Sequence, residues 1–129
     1  MPGEVYNCCK YVVEEIGRTQ LAAELLQSND MKRFGKLMYA THEGLSELYK
    51  VSCAELDFLV DQAKQCPAVI GSRMMGGGFG GCTINIVEED GVADFIAQTM
   101  LAYQQQFNIT AEVYIVETSD GTKEIAITP

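Results

Sequence analysis

The chain has 129 residues, 47% of them hydrophobic, and 18 acidic against 9 basic side chains give a formal charge of -9. That length and balance fit one domain with one core, and the negative charge repels nucleic acid and anionic membranes, which are set aside as partners. No apolar run approaches the roughly 20 residues that cross a bilayer, and MPGEVYNCCK lacks the basic-then-apolar order of a signal peptide, so the expected compartment is the cytoplasm.

Residues 4 to 28 read as one long helix. Val5, Cys9, Val12, Val13, Ile16, Leu21, Leu25 and Leu26 recur near a 3.6-residue period, with one slip at Gly17 where a kink would fall. Asn29 and Asp30 suit the cap of a second helix, lined by Met31, Phe34, Leu37, Met38, Thr41, Leu45 and Leu48 until about Tyr49. So short a loop favours antiparallel neighbours. Ser52-Cys53-Ala54-Glu55 reads as a capping box, with Ser52 accepting from the Glu55 amide. It opens a third helix through about Lys64, striped by Leu56, Leu59, Val60 and Ala63. Pro67 ends the helical region, and the apolar period falls from near 3.6 to near 2.

Residues 68 to 74 and 82 to 88 then read as strands, the second alternating Cys82, Ile84 and Ile86 with Thr83 and Asn85. A fourth helix over about 90 to 107 carries Val92, Phe95, Ile96, Met100, Tyr103 and Phe107 on one face. Ala111, Val113 and Ile115 mark a third strand, and Asp120-Gly121 offers a hairpin turn into a fourth at 123 to 128. The expected class is α+β: an antiparallel helical pair over 1–50, then a ferredoxin-like antiparallel sheet packed with helices over 51–129. Its α-β-β-α-β run matches a split βαβ unit lacking the first strand. Either the last strand or part of a longer chain completes that sheet.

The stretch GSRMMGGGFGG, residues 71 to 81, puts six glycines around Phe79. Glycine loses more backbone freedom on folding than any other residue, so the run needs a turn with positive φ or a close approach to a ligand. Gly76, Gly78 and Gly81 satisfy G-x-G-x-x-G, but that fingerprint requires a helix to follow, and here a strand follows. No Gly-Lys-Ser/Thr closes the run as a P-loop. What remains is a strand-loop-strand turn whose consecutive amides make an anion-binding nest. Between Lys64 and Glu88 the one charged residue is Arg73. The residue types alone equally describe a flexible hairpin loop with Phe79 tucked into the core and Arg73 solvated or paired with an acid.

The wording of the stretch adds to its composition. Ile70-Gly71-Ser72-Arg73-Met74-Met75-Gly76-Gly77-Gly78-Phe79-Gly80-Gly81-Cys82-Thr83 closely resembles the third, glycine-rich motif of galactokinases, in the GHMP family of small-molecule kinases. The resemblance extends upstream through Arg33-Phe34-Gly35-Lys36-Leu37-Met38, Thr41-His42 and Val51-Ser52-Cys53-Ala54-Glu55-Leu56-Asp57, and less specifically to the final strands. Met75 stands where the family usually has threonine. The resemblance implies that residues 1–129 are the C-terminal domain. The galactose signature, the P-x-G-x-G-L-x-S-S phosphate loop and the catalytic aspartate and arginine belong to an N-terminal half absent here.

It further implies transfer of the ATP γ-phosphoryl group to the 1-hydroxyl of galactose, with Mg²⁺ offsetting phosphate charge and most nucleotide contacts made by the other half. Gly76, Gly77, Gly78, Phe79, Gly80 and Gly81 would wall the cleft beside the nucleotide, with Ser72, Arg73 and Met75 close to substrate. No catalytic residue and no metal ligand is expected in this chain, which would be inactive alone and, with its covering half gone, would self-associate. A related sugar 1-kinase for another sugar stays open because of Met75. So does a stand-alone, non-catalytic binding or regulatory module in which the loop holds a small anion or a protein partner.

The remaining reactive residue types point to packing. His42 lies on a helix with no nucleophile beside it and reads as a packing or surface residue. Glu14-Glu15 and Glu88-Glu89-Asp90 read as solvated charge. Cys8, Cys9, Cys53, Cys66 and Cys82 are odd in number and unspaced for metal, hence reduced and mostly packed thiols. Met74 and Met75 read as core and rim packing, with ligand contact open.

Overall fold

Helix α1 (Gly3–Gln27) continues through Gly17 without a break. The structure, a computed structural model, describes residues 2–127. The face that α1 buries is not the expected one: Tyr11 and Leu25 are buried, whereas Val5, Val12, Val13, Ile16 and Leu26 are exposed. Tyr11, Arg18 and Leu25 are seven residues apart, two turns each, and form the line that meets helix α2 (Met31–Glu47). Among the described residues nothing else packs extensively on α1, so its wider apolar stripe stays uncovered.

Asp30 caps α2 as expected, accepting from the Arg33 amide at 3.2 Å. The contact with α1 is close because residue 44 is glycine: a Cβ there would come within 2.5 Å of the Tyr11 ring. Thr41 donates its hydroxyl to the Glu15 carboxylate at 2.9 Å, and Arg18 Nε donates to the same group at 2.7 Å. Glu15 is thus an interhelical acceptor rather than the solvated charge its neighbourhood suggested.

Helix α3 (Ala54–Gln65) buries Leu56, Val60 and Ala63. Its N-cap is Cys53, one residue later than the capping box placed it, and no side chain caps it. Ser52 instead donates its hydroxyl to Asp57 at 2.7 Å. The charge-assisted bond turns the hydroxyl toward Asp57, and its oxygen accepts no amide of the first turn.

Strands β1 (Val69–Met75) and β2 (Cys82–Val87) pair antiparallel, with Ser72 opposite Asn85 and Met75 opposite Cys82, and a bulge between Val69 and Gly71. Helix α2 lies against β1, whose Ile70 carbonyl and Met74 amide both meet it. A Cβ on Gly35 would overlap the Ile70 carbonyl oxygen, and the Met74 amide donates to His42. A sheet edge covered in this way cannot recruit another strand.

After a single 3-10 turn at Glu89–Gly91, helix α4 (Val92–Phe107) buries Phe95 and Tyr103, and Asn108 ends it at φ 56. Phe58 of α3 meets Phe107 edge-on, ring centroids 5.3 Å apart, while Ala63, Val69 and Phe95 form a core cluster with Cys66 and Val87 against it.

The α+β class holds, but among the described residues the sheet has two strands. The expected third strand around Ala111, Val113 and Ile115 does not form, nor does the fourth over its described part, 123 to 127; residue 128 lies outside the described residues. A strand needs a neighbour for its amides and carbonyls. In a split βαβ unit the last strand pairs with the first, and no such first strand is present among the described residues. Ile115 and Ile125 are each 78% exposed in consequence.

Candidate functional site

The glycine loop occupies residues 76–81 between the strands, and its conformation explains its composition. Gly76, Gly78, Gly80 and Gly81 have φ of 84°, 87°, 146° and 104°, values that strain any residue with a Cβ. Phe79 also sits in the left-handed region at φ 61. Its ring is 76% exposed, so it is not tucked into the core. A Cβ added to Gly76, Gly77 or Gly80 would meet nothing within 4 Å. The loop therefore presents bare backbone to solvent on one side.

On the other side it is fastened. The Phe79 amide donates to the Val51 carbonyl at 2.6 Å, and a Cβ on Gly78 would overlap that carbonyl. Val51 lies in the α2–α3 connection, which Lys50 turns at φ 57. The amides of Gly76, Gly77, Gly78, Gly80 and Gly81 make no bond to the protein among the described residues.

The three residues expected near substrate fall in different places. Ser72 is fully buried, and among the described residues neither its hydroxyl nor the buried Oδ1 of Asn85 opposite finds a partner. Arg73 makes no ion pair among the described residues and lines a cavity of about 190 Å³ with Glu15, Arg18, Met38 and Thr41. Its side chain is half-buried. Met75 is 42% exposed at the loop margin, as rim packing requires. Beside that cavity, burial pushes the Tyr11 phenol above its ordinary range, with Glu15 adding and Arg18 and Arg73 opposing.

Behind the loop lies a hydrogen-bonded group that residue types alone did not reveal. His42 is 4% exposed. Its Nδ1 accepts from the Met74 amide at 3.0 Å, so the ring proton sits on Nε2 and is donated to Asp57 at 2.9 Å. Asp57 also accepts from Ser46 at 3.0 Å and Ser52 at 2.7 Å. The signal was present in Ser52 and Asp57 five residues apart, but the capping-box reading used Ser52 for something else.

The cysteines are all free: Cys9 and Cys82 are exposed, the other three half-buried, so they are less packed than expected. Among the described residues no group of three or more His, Cys, Asp or Glu side chains is placed to hold a metal ion.

A two-stranded hairpin with a backbone-lined glycine loop, backed by helices, defines a class. Residues 22–105 match the family described as GHMP kinases C terminal, and the chain belongs to that family. The particular relatives are galactokinases. The enzyme from Canis lupus familiaris is 45% identical over 120 residues, covering 93% of this chain and 30% of its own length. The crystal structure of Lactococcus lactis galactokinase complexed with galactose superposes with a TM-score of 0.73 at 35% identity, over 76% of this chain and 25% of that one. The L. major mevalonate kinase in complex with R-mevalonate follows at 0.58 and 31% identity, over 67% and 26%. The chain thus spans about 30% of the length of the curated relatives it matches.

Proposed function

We propose that this chain is the C-terminal domain of a galactokinase and that its glycine loop forms one wall of the active-site cleft. The observation that carries the reading is the loop itself. Five of its amides are free of protein acceptors, no side chain obstructs them at Gly76, Gly77 and Gly80, and the backbone is held from behind. Phosphoryl transfer rests mainly on positioning and electrostatic stabilisation, which fixed amide dipoles supply. Residues 76–81 fit the phosphate-bearing end of ATP, orienting it and excluding water on that side. The described residues do not fit Mg²⁺, for they lack a cluster of ligands, so no step is assigned to the metal here.

In this reading 1–50 is the helical pair, 51–129 the ferredoxin-like core, and the base, the arginine and most nucleotide contacts lie in an upstream half. Galactose is the substrate, and the cytoplasm, where ATP is supplied, is the compartment. The isolated chain self-associates through its exposed apolar side chains.

The test joins this chain to an upstream half carrying the P-x-G-x-G-L-x-S-S loop and assays it with ATP against a panel of hexoses. Transfer confined to galactose is expected, with none from the 129-residue chain alone. Transfer confined to another hexose selects a related sugar 1-kinase. Anion binding without transfer in the joined protein selects a binding or regulatory module.

A further inference from the structure

We propose that the shape of the glycine loop is imposed from the α2–α3 connection, with His42 as a positioning residue and Asp57 as the single anchor for both points at which the loop is held. Glycine's conformational map is nearly symmetric, so a loop with four glycines at positive φ does not select one shape by its own preference. Something outside must select it. Two backbone amides do so: Met74, two residues before Gly76, and Phe79 within the loop.

Their acceptors come from different places. Met74 reaches the His42 ring on α2, and Phe79 reaches the Val51 carbonyl in the connection. Both converge on Asp57. Its Oδ1 takes the His42 Nε2 proton, which fixes the ring with Nδ1 toward Met74, and the same oxygen takes the hydroxyl of Ser52, the residue next to Val51. Ser46 holds Oδ2 and closes the arrangement from α2. A histidine suits the position because it bridges a donor and an acceptor on opposite sides of one rigid ring. A buried amide at a strand edge is costly without a partner. The bridge is thus maintained by the cost of breaking it.

What this positioning does for phosphoryl transfer rests on the functional reading above; the assignment itself does not. Amide hydrogen exchange on the 129-residue chain, without nucleotide or sugar, tests it separately. Asp57→Asn is expected to speed exchange at Met74 and Phe79 together, roughly tenfold, while the Val60 and Phe95 amides keep their rates. His42→Asn leaves an oxygen where Nδ1 was and is expected to retain protection at Met74. His42→Gln reaches toward Asp57 but offers Met74 nothing and is expected to lose it.

Should Asp57→Asn fail to fold, Ser52→Ala removes one of the three bonds and is expected to give a smaller rise at the same two amides. Exchange rising uniformly through α3 and α4 overturns the assignment, since that is general destabilisation. So does a rise at one amide without the other, or equal behaviour of the two His42 variants. An inactive joined protein, by contrast, overturns the functional reading and leaves the exchange result standing.

Discussion

The seam between α2 and β1 and the segment from 109 to 127 are both rich in residues suited to burial, yet one is a close backbone-to-backbone contact and the other is largely exposed. At the seam, Gly35 sits against the Ile70 carbonyl, and a Cβ on Gly71 would come within 2.6 Å of the Gly35 Cα. Along the segment, Tyr114, Ile115 and Val116 are 76%, 78% and 75% exposed. The difference does not lie in hydrophobicity. It lies in whether the partner surface exists in the chain: α2 has β1, whereas the segment's strand partner is missing.

The comparison breaks most sharply at Gly35. Gly35→Ala forces backbone apart from backbone, and a loss of about 3 kcal/mol is expected, read as a lower midpoint in urea unfolding with unchanged slope. An effect near zero would mean that the seam opens without cost. The glycine loop sharpens the contrast on a smaller scale. Gly78→Ala meets both φ 87° and the Val51 carbonyl and is expected to cost about 2 kcal/mol, whereas Gly77→Ala meets nothing and stays within about 0.5 kcal/mol. Equal effects in the same unfolding experiment would remove the distinction between fastened and open loop glycines. The smallest effect belongs to the exposed segment. Ile115→Ser is expected to change stability by less than about 0.5 kcal/mol while reducing light scattering, as removal of exposed apolar area predicts. A strictly monomeric parent chain across the micromolar range would defeat the expectation of self-association.

The four helices and two central strands were legible because each carries its own period, with stops such as Asp30 before α2 and Pro67 after α3. The buried face of α1 was not. Val5, Val12, Val13 and Ile16 promise a stripe, but it is Tyr11, against Gly44, and Glu15, bonded to Thr41, that meet α2, and which face is used depends on a partner that local periodicity does not encode. The final strands failed for the same reason. At the site, the loop and its need for glycine were visible in GGGFGG, and the resemblance to the galactokinase motif supplied a neighbour for it. The positions of Ser72 and Arg73, one sealed and one lining a cavity under α1, follow from the alternation of β1 between two covered faces. The His42–Asp57 bridge was hidden because its members come from two helices and a loop, and one of them doubles as a plausible helix cap.

That bridge also orders events in time. His42 and Met74 are 32 residues apart in sequence, so their bond waits until α2 and β1 have been brought together. Non-local contacts of this kind are made only after the chain closure between them. The loop at the hairpin tip is therefore held in its observed form only once α2 has docked on β1. The shape of the tip is thus a property of the assembled domain and not of the hairpin alone, since an isolated two-stranded hairpin is marginally stable at best.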